Sequence, residues 1–220
     1  MVIRTIMLGL LFVVAGNALP SGAKAESSCQ SAVRTPIAVD LKMPSPTIID
    51  DQPRRQIRTI SEQTGANPLA PGLLLNGLTV YHLESRHRIE VIEFPKRNGC
   101  FRPNRITASV DVKKLDVYIA EELENNGCNY RVTMAHELRH VAVLREGANR
   151  LKREIESALT DSEAFASISA PDIDTALKRY STALNIIIND VRQSVSQEMV
   201  RRNRLLDTPE AYRADDAKCR

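Results

Sequence analysis

Repeats and low-complexity tracts are absent from these 220 residues. Beyond the first 25 there is also no apolar run approaching the roughly 20 residues that a membrane span requires, so no permanent membrane anchor is expected. Excess charge is nearly missing too. Setting aside Arg4 and Lys24 leaves 28 cations against 27 acids, which argues against a nucleic-acid partner. Histidine is scarce, with only four in the chain, so any pair of histidines at a meaningful spacing carries information.

What is present begins with Arg4, an apolar stretch over 6–15, helix-breaking Asn17 and Pro20, and Ala23-Lys24-Ala25. That order predicts a cleavable export signal over 1–25 and a periplasmic or secreted chain beginning near Glu26. Four cysteines follow: Cys29, Cys100, Cys128 and Cys219. None forms a close pair of the kind that holds structural zinc. An even count behind an export signal predicts two disulfides instead. Cys100 and Cys128 each follow an Asn-Gly turn bracketing a predicted strand pair, which favours Cys100–Cys128, with Cys29–Cys219 clasping the termini.

The segment 26–71 contains six prolines and reads as an extended lead-in with a short helix near 54–63. A core domain is expected over 72–170 and a helical region over 171–220. β-Favouring residues at 78–83 and 88–94 flank a polar 84–87 turn, predicting a hairpin. Period-two alternation at Ile106, Ala108, Val110 and Val112, and again at Leu115, Val117 and Ile119, predicts further strands. The fold expected is α+β: a small, mostly antiparallel sheet packed on a helix over 130–146, with a long-helix hairpin at the C-terminus. Asn129 would cap that helix and Gly147 would stop it, with a second helix over 149–167. A long helix starting at Asp172 or Asp174 carries an apolar stripe from Leu177 to Met199, which serves packing or docks a protein partner.

The chemistry lies in His136-Glu137-Leu138-Arg139-His140. Four residues rotate an α-helix by about 400°, so both imidazoles stand on one face, one turn apart, able to reach a single zinc ion. Glu137 lies beside them as a catalytic base for water activated by the metal. Val143 and Glu146 occupy the places where a longer form of the motif has glycine and a third histidine, so the third ligand is expected to be a carboxylate. If the chain folds back at Gly147, Glu156 comes level with His140, whereas motif spacing favours Glu163. Asp207 is a more remote candidate, and His82 or His87 are less favoured still.

At these residues the chain resembles the zincin-type metallopeptidases, and in particular small exported bacterial proteins assigned as zinc-dependent proteases. The likeness runs through Gly77-Leu78-Thr79, Gly99-Cys100, Val117-Tyr118-Ile119-Ala120, Gly127-Cys128 and the HExxH segment, about a third of the chain. It implies peptide or protein substrates and a strand beside the active-site helix that pairs with an extended substrate, for which 115–120 is the natural segment. Arg139 stands where such peptidases carry an uncharged residue. Two other functions use the same residues: a non-catalytic zincin-like envelope binding or assembly module, and a metal hydrolase acting on cell-wall amide bonds.

Overall fold

The computed structural model describes residues 29, 33–65, 74–94, 97–123 and 127–219, so residues 1–25, read above as an expected export signal, lie outside the described residues. The chain runs β1 (Ile37–Lys42), β2 (Thr47–Gln52), α1 (Arg54–Thr64), β3 (Gly77–Phe94), β4 (Arg97–Ala120), α2 (Cys128–Thr160), β5 (Ile168–Ser169), α3 (Ile173–Leu206) and α4 (Pro209–Asp216).

The class is α+β, but the expected small and mostly antiparallel sheet is overturned. β1 and β2 both run parallel to β4, while β3 and the two-residue β5 pair with it antiparallel. The supposed lead-in is what supplies the parallel strands. Ile37 pairs with Ile106 and Thr47 with Asp116, the same offset, so the segment 37–49 follows β4 in one register, which then shifts before Gln52 pairs with Ala120. Its interruption falls at Pro44 and Pro46, which have no N–H to give the ladder.

The two hairpin arms expected at 78–83 and 88–94 are one strand, because β4 pairs with β3 through the whole polar stretch 84–87. The two strands expected at 106–112 and 115–119 are likewise one. Their inward positions change from even to odd numbers because the pairing shifts between His82 opposite Lys114 and Leu83 opposite Val112, a β-bulge rather than a turn.

Gly147 does not end a helix, and no new helix starts at 149. α2 is continuous over 33 residues. A Cβ at Gly147 would lie 2.3 Å from Met199 Sδ and 2.5 Å from its Cγ, so this glycine exists to let α3 approach α2. α3 begins after Asp172, whose carboxylate accepts from Thr175 N–H at 2.7 Å. Along it Tyr180, Leu184, Ile188, Val195 and Met199 are buried. They join Ile106, Val110, Val117 and Ile119 of β4 and Leu144, Leu151, Ile155 and Leu159 of α2 in one core, each large side chain contributing roughly 1.5–3 kcal/mol. The expected helical hairpin is therefore α2 against α3.

Two disulfides form, with connectivity opposite to expectation: Cys29–Cys100 and Cys128–Cys219, with Cα–Cα distances of 5.5 and 5.6 Å. The Cys100–Cys128 pairing fails because β4 runs unbroken from Arg97 to Ala120. At about 3.3 Å per residue it carries Cys100 on the order of 60 Å from the strand end that leads to α2. Cys29 is thereby matched to the near end of β4 and Cys219 to the start of α2. Such bonds point to an oxidising environment. Among the described residues no helix is long and apolar enough to cross a membrane.

Candidate metal centre

His136 and His140 project from one face of α2, as the four-residue spacing requires. Their Nε2 atoms are 3.2 Å apart. Asp207, which caps the C-terminus of α3, places Oδ1 3.2 Å from His136 Nε2 and 3.1 Å from His140 Nε2. The three donors thus form a nearly equilateral triangle. Metal–donor bonds of about 2.0–2.1 Å in a tetrahedron give an edge of roughly 3.3–3.4 Å, so the triangle fits one face of a small divalent cation's coordination shell. His136, His140 and Asp207 can therefore hold a metal ion.

The far side of each imidazole is closed by an acceptor. His136 Nδ1 lies 3.1 Å from Asp215 Oδ2, and His140 Nδ1 lies 3.0 Å from Asn203 Oδ1. Partners at Nδ1 fix the tautomer that leaves the Nε2 lone pair free for a cation. Arg139 Nη2 also stands 2.9 Å from His136 Nδ1, but a ring whose Nε2 faces a cation keeps its proton on Nδ1 and gives it to Asp215. Arg139 has a different role: its guanidinium grips Asp215 through Nη2 and, at 3.4 Å, through Nη1. Lys218 Nζ adds a bond to Asp215 at 2.6 Å. Arg139, the charged residue between the two histidines, therefore anchors the carboxylate that bonds His136.

Electrostatics follow from this packing. Burial alone would raise the Asp215 carboxyl, but hydrogen bonds from Arg139, Lys218 and His136 hold it well below the usual carboxylate range. Asp207 is likewise pushed up by burial and pulled far down by His136, His140 and Tyr212. For His140 burial works downward, and the Asp207 hydrogen bond with the Glu137 and Asp207 charges overcomes it, raising the imidazole to about 8. Tyr212 stacks on His136 with ring centroids 4.9 Å apart, and its hydroxyl donates to Asp207 Oδ1 at 3.1 Å.

Glu137 is buried beside the triangle and is not one of its three donors. Thr79 Oγ1 donates to its Oε2 at 2.8 Å. Burial raises the Glu137 carboxyl, against the lowering influence of His140, His136 and Thr79. Gly77 admits it: a Cβ there would sit 2.7 Å from Glu137 Oε1 and 2.8 Å from Thr133 Cγ2. Two cavities, of about 540 and 720 Å³, are both lined by Gly77, Glu137 and Tyr212; the larger also follows five consecutive β3 residues, 77–81.

The favoured third ligands do not reach this place. Glu156 lies 16 residues beyond His140 on the same unbroken helix, about 24 Å along its axis, and pairs with Lys152 at 3.7 Å. The fold-back at Gly147 that would have returned it does not occur. Glu163 sits in the short turn Glu163–Phe165 after α2 ends, and exposed His82 bonds Glu84 at 3.0 Å. His87 is exposed on β3 opposite Ala108. The strand 115–120 is corrected as well: β2 and β3 flank it, and among the described residues β3, whose Thr79 bonds Glu137 of α2, pairs with no strand but β4. Asn203, Tyr212 and Asp215 were not read from the sequence. One signal existed, since Asn203 and Asp207 repeat the four-residue spacing of His136 and His140. No protein-family model, curated protein or solved structure matches this chain, so the reading of the site rests on its own geometry.

Proposed function

We propose that the chain is a zinc-dependent metallopeptidase of the zincin kind, acting on peptide or protein substrates in the periplasm or outside the cell. The observation that carries this reading is the triangle of His136, His140 and Asp207, closed behind by Asp215 and Asn203, with an uncoordinated glutamate next to it. Two imidazoles and a carboxylate also suit other first-row cations. Glu137 favours zinc hydrolysis, because a base beside the metal and outside its ligand set is what water-driven amide cleavage needs. Zinc, when bound, supplies the Lewis acidity that activates water and polarises a carbonyl.

The chain's own residues do the rest. Thr79 holds the Glu137 carboxylate in place, and the buried setting makes that carboxylate a stronger base than an exposed one. Glu137 takes a proton from the attacking water and delivers it to the leaving amine. The outer edge of β3 over 77–81, which no other described strand pairs, offers backbone donors and acceptors to an extended peptide lying in the cleft. The two disulfides support an exported location.

The test is Glu137→Gln. Metal content should stay near one ion per chain while chelator-sensitive hydrolysis of an unfolded protein falls by at least about 100-fold. Hydrolysis at the wild-type rate would remove Glu137 as the base. A preparation active only with bound iron would end the zinc reading, and activity on cell-wall fragments alone would move the substrate to cell-wall amides.

A further inference from the structure

The C-terminal segment contributes far more to the metal centre than to the core. Asp207 ends α3, Tyr212 and Asp215 come from α4, and Lys218 comes from the turn after it. Yet Asp215 is the only buried residue of α4, and the Ala217–Cys219 turn buries none. Both pack chiefly on α2. With no fully buried apolar side chain, α4 is held by the Tyr212 stack on His136 and its bond to Asp207, by the Asp215 contacts to Arg139 and His136, and by one covalent bond, Cys128–Cys219. That bond joins the start of the metal-bearing helix to a point four residues beyond Asp215.

The two disulfides differ in access. Cys29 and Cys100 are 8% and 1% exposed, whereas Cys128 and Cys219 are both partly exposed, and Cys219 lines the cavity that also contains His136 and Glu137. Thiol–disulfide exchange begins with thiolate attack on a disulfide sulfur, so access selects the bond that opens first.

We propose that Cys128–Cys219 is a redox-active disulfide that latches the C-terminal segment over the metal centre, so that its reduction by a dithiol lowers the affinity of His136, His140 and Asp207 for their cation. The inference rests on the metal reading above. In the exchange the dithiol is oxidised to its own disulfide, and Cys128 and Cys219 each gain an electron and a proton to become thiols. Releasing Cys219 frees Asp215 to drift from His136 Nδ1 and Tyr212 from Asp207. Losing such outer partners costs about 10–100-fold in metal affinity.

The experiment uses the full chain, metal-free, exposed to limiting dithiothreitol, alkylated, freed of reductant and mapped by mass spectrometry. Zinc affinity is then measured by competition with a fluorescent chelator, beside untreated protein and the Cys128→Ser/Cys219→Ser variant. Alkylation should appear at Cys128 and Cys219 with Cys29–Cys100 intact. Zinc affinity should fall at least about tenfold in both opened forms, with the far-ultraviolet helical signal unchanged. Equal affinity in open and closed forms overturns the proposal. So does prior opening of Cys29–Cys100, or a loss of affinity seen only when helix is lost, since the bond would then hold the fold and not the site. Failure of the untreated protein to bind zinc would sink the metal reading itself, and the proposal with it.

Discussion

Replacing Gly147 with alanine sets two effects of known size against each other. In a helix interior alanine is favoured over glycine by about 0.8–1.0 kcal/mol, so an unobstructed site would gain that much. Here the new methyl would fall 2.3 Å from Met199 Sδ and 2.5 Å from Cγ, inside a buried helix crossing. Overpacking of that kind costs typically 1–3 kcal/mol, because Met199 must leave its rotamer or α3 must move outward. The net expectation is a loss of about 1 kcal/mol, roughly 2–4 °C in Tm for a chain of this size. Removing the obstruction should reverse the sign: in a Met199→Ala background, itself about 2–5 kcal/mol less stable, Gly147→Ala should stabilise by about 1 kcal/mol. Urea unfolding of the four proteins gives the coupling directly, expected near 2 kcal/mol. Because Met199 lies one turn before Asn203, zinc affinity should fall in the single alanine variant and recover in the double one. Gly147→Ala that stabilises the parent, or shows the same sign in both backgrounds, would refute the close-approach explanation.

Gly77→Ala should displace the Glu137 carboxylate while sparing the three metal donors, lowering turnover by about 100-fold with metal content unchanged; equal losses of metal and activity would contradict this. In the metal-free protein His140 is raised to about 8 from its ordinary 6.5, so its stabilising charge is fully present below 6.5 and lost as pH rises through 8. Asp207, held low, acts oppositely, its contribution present above 3.8 and lost as pH falls further. A cation must displace the His140 proton, so zinc affinity should gain about tenfold per pH unit from 6.5 and level off near 8; a flat profile over that interval would show that His140 is not a ligand.

The half of the site that lies within one helix was legible in the sequence, because four-residue spacing dictates a shared face whatever the tertiary structure. The half supplied by Asp207, Asn203, Tyr212 and Asp215 was not, since it depends on where the end of α3 and α4 fall relative to α2, with partners 63–79 residues apart in the chain. Gly147 misled for a physical reason. Glycine at a helix end and glycine under a crossing helix look alike until the partner, Met199, is placed. From that one misreading followed both the broken helix and the choice of Glu156. The sheet was misread in the same way, through breaks in alternation. A polar stretch at 84–87 and a phase change at 113–114 each resemble a turn, yet long-range pairing with a continuous neighbour absorbed the first as strand and the second as a bulge. The disulfide partners then followed from strand length, which turn signals alone do not report.

The most direct test of the account is the zinc affinity of four proteins measured side by side: the parent, Asp207→Ala, Glu156→Ala and Glu163→Ala. The parent should bind one ion, Asp207→Ala should bind it at least about 100-fold more weakly, and the two glutamate variants should match the parent. Undiminished affinity without Asp207, or a loss confined to Glu156→Ala or Glu163→Ala, would contradict the assignment of the third ligand and the functional reading built on it.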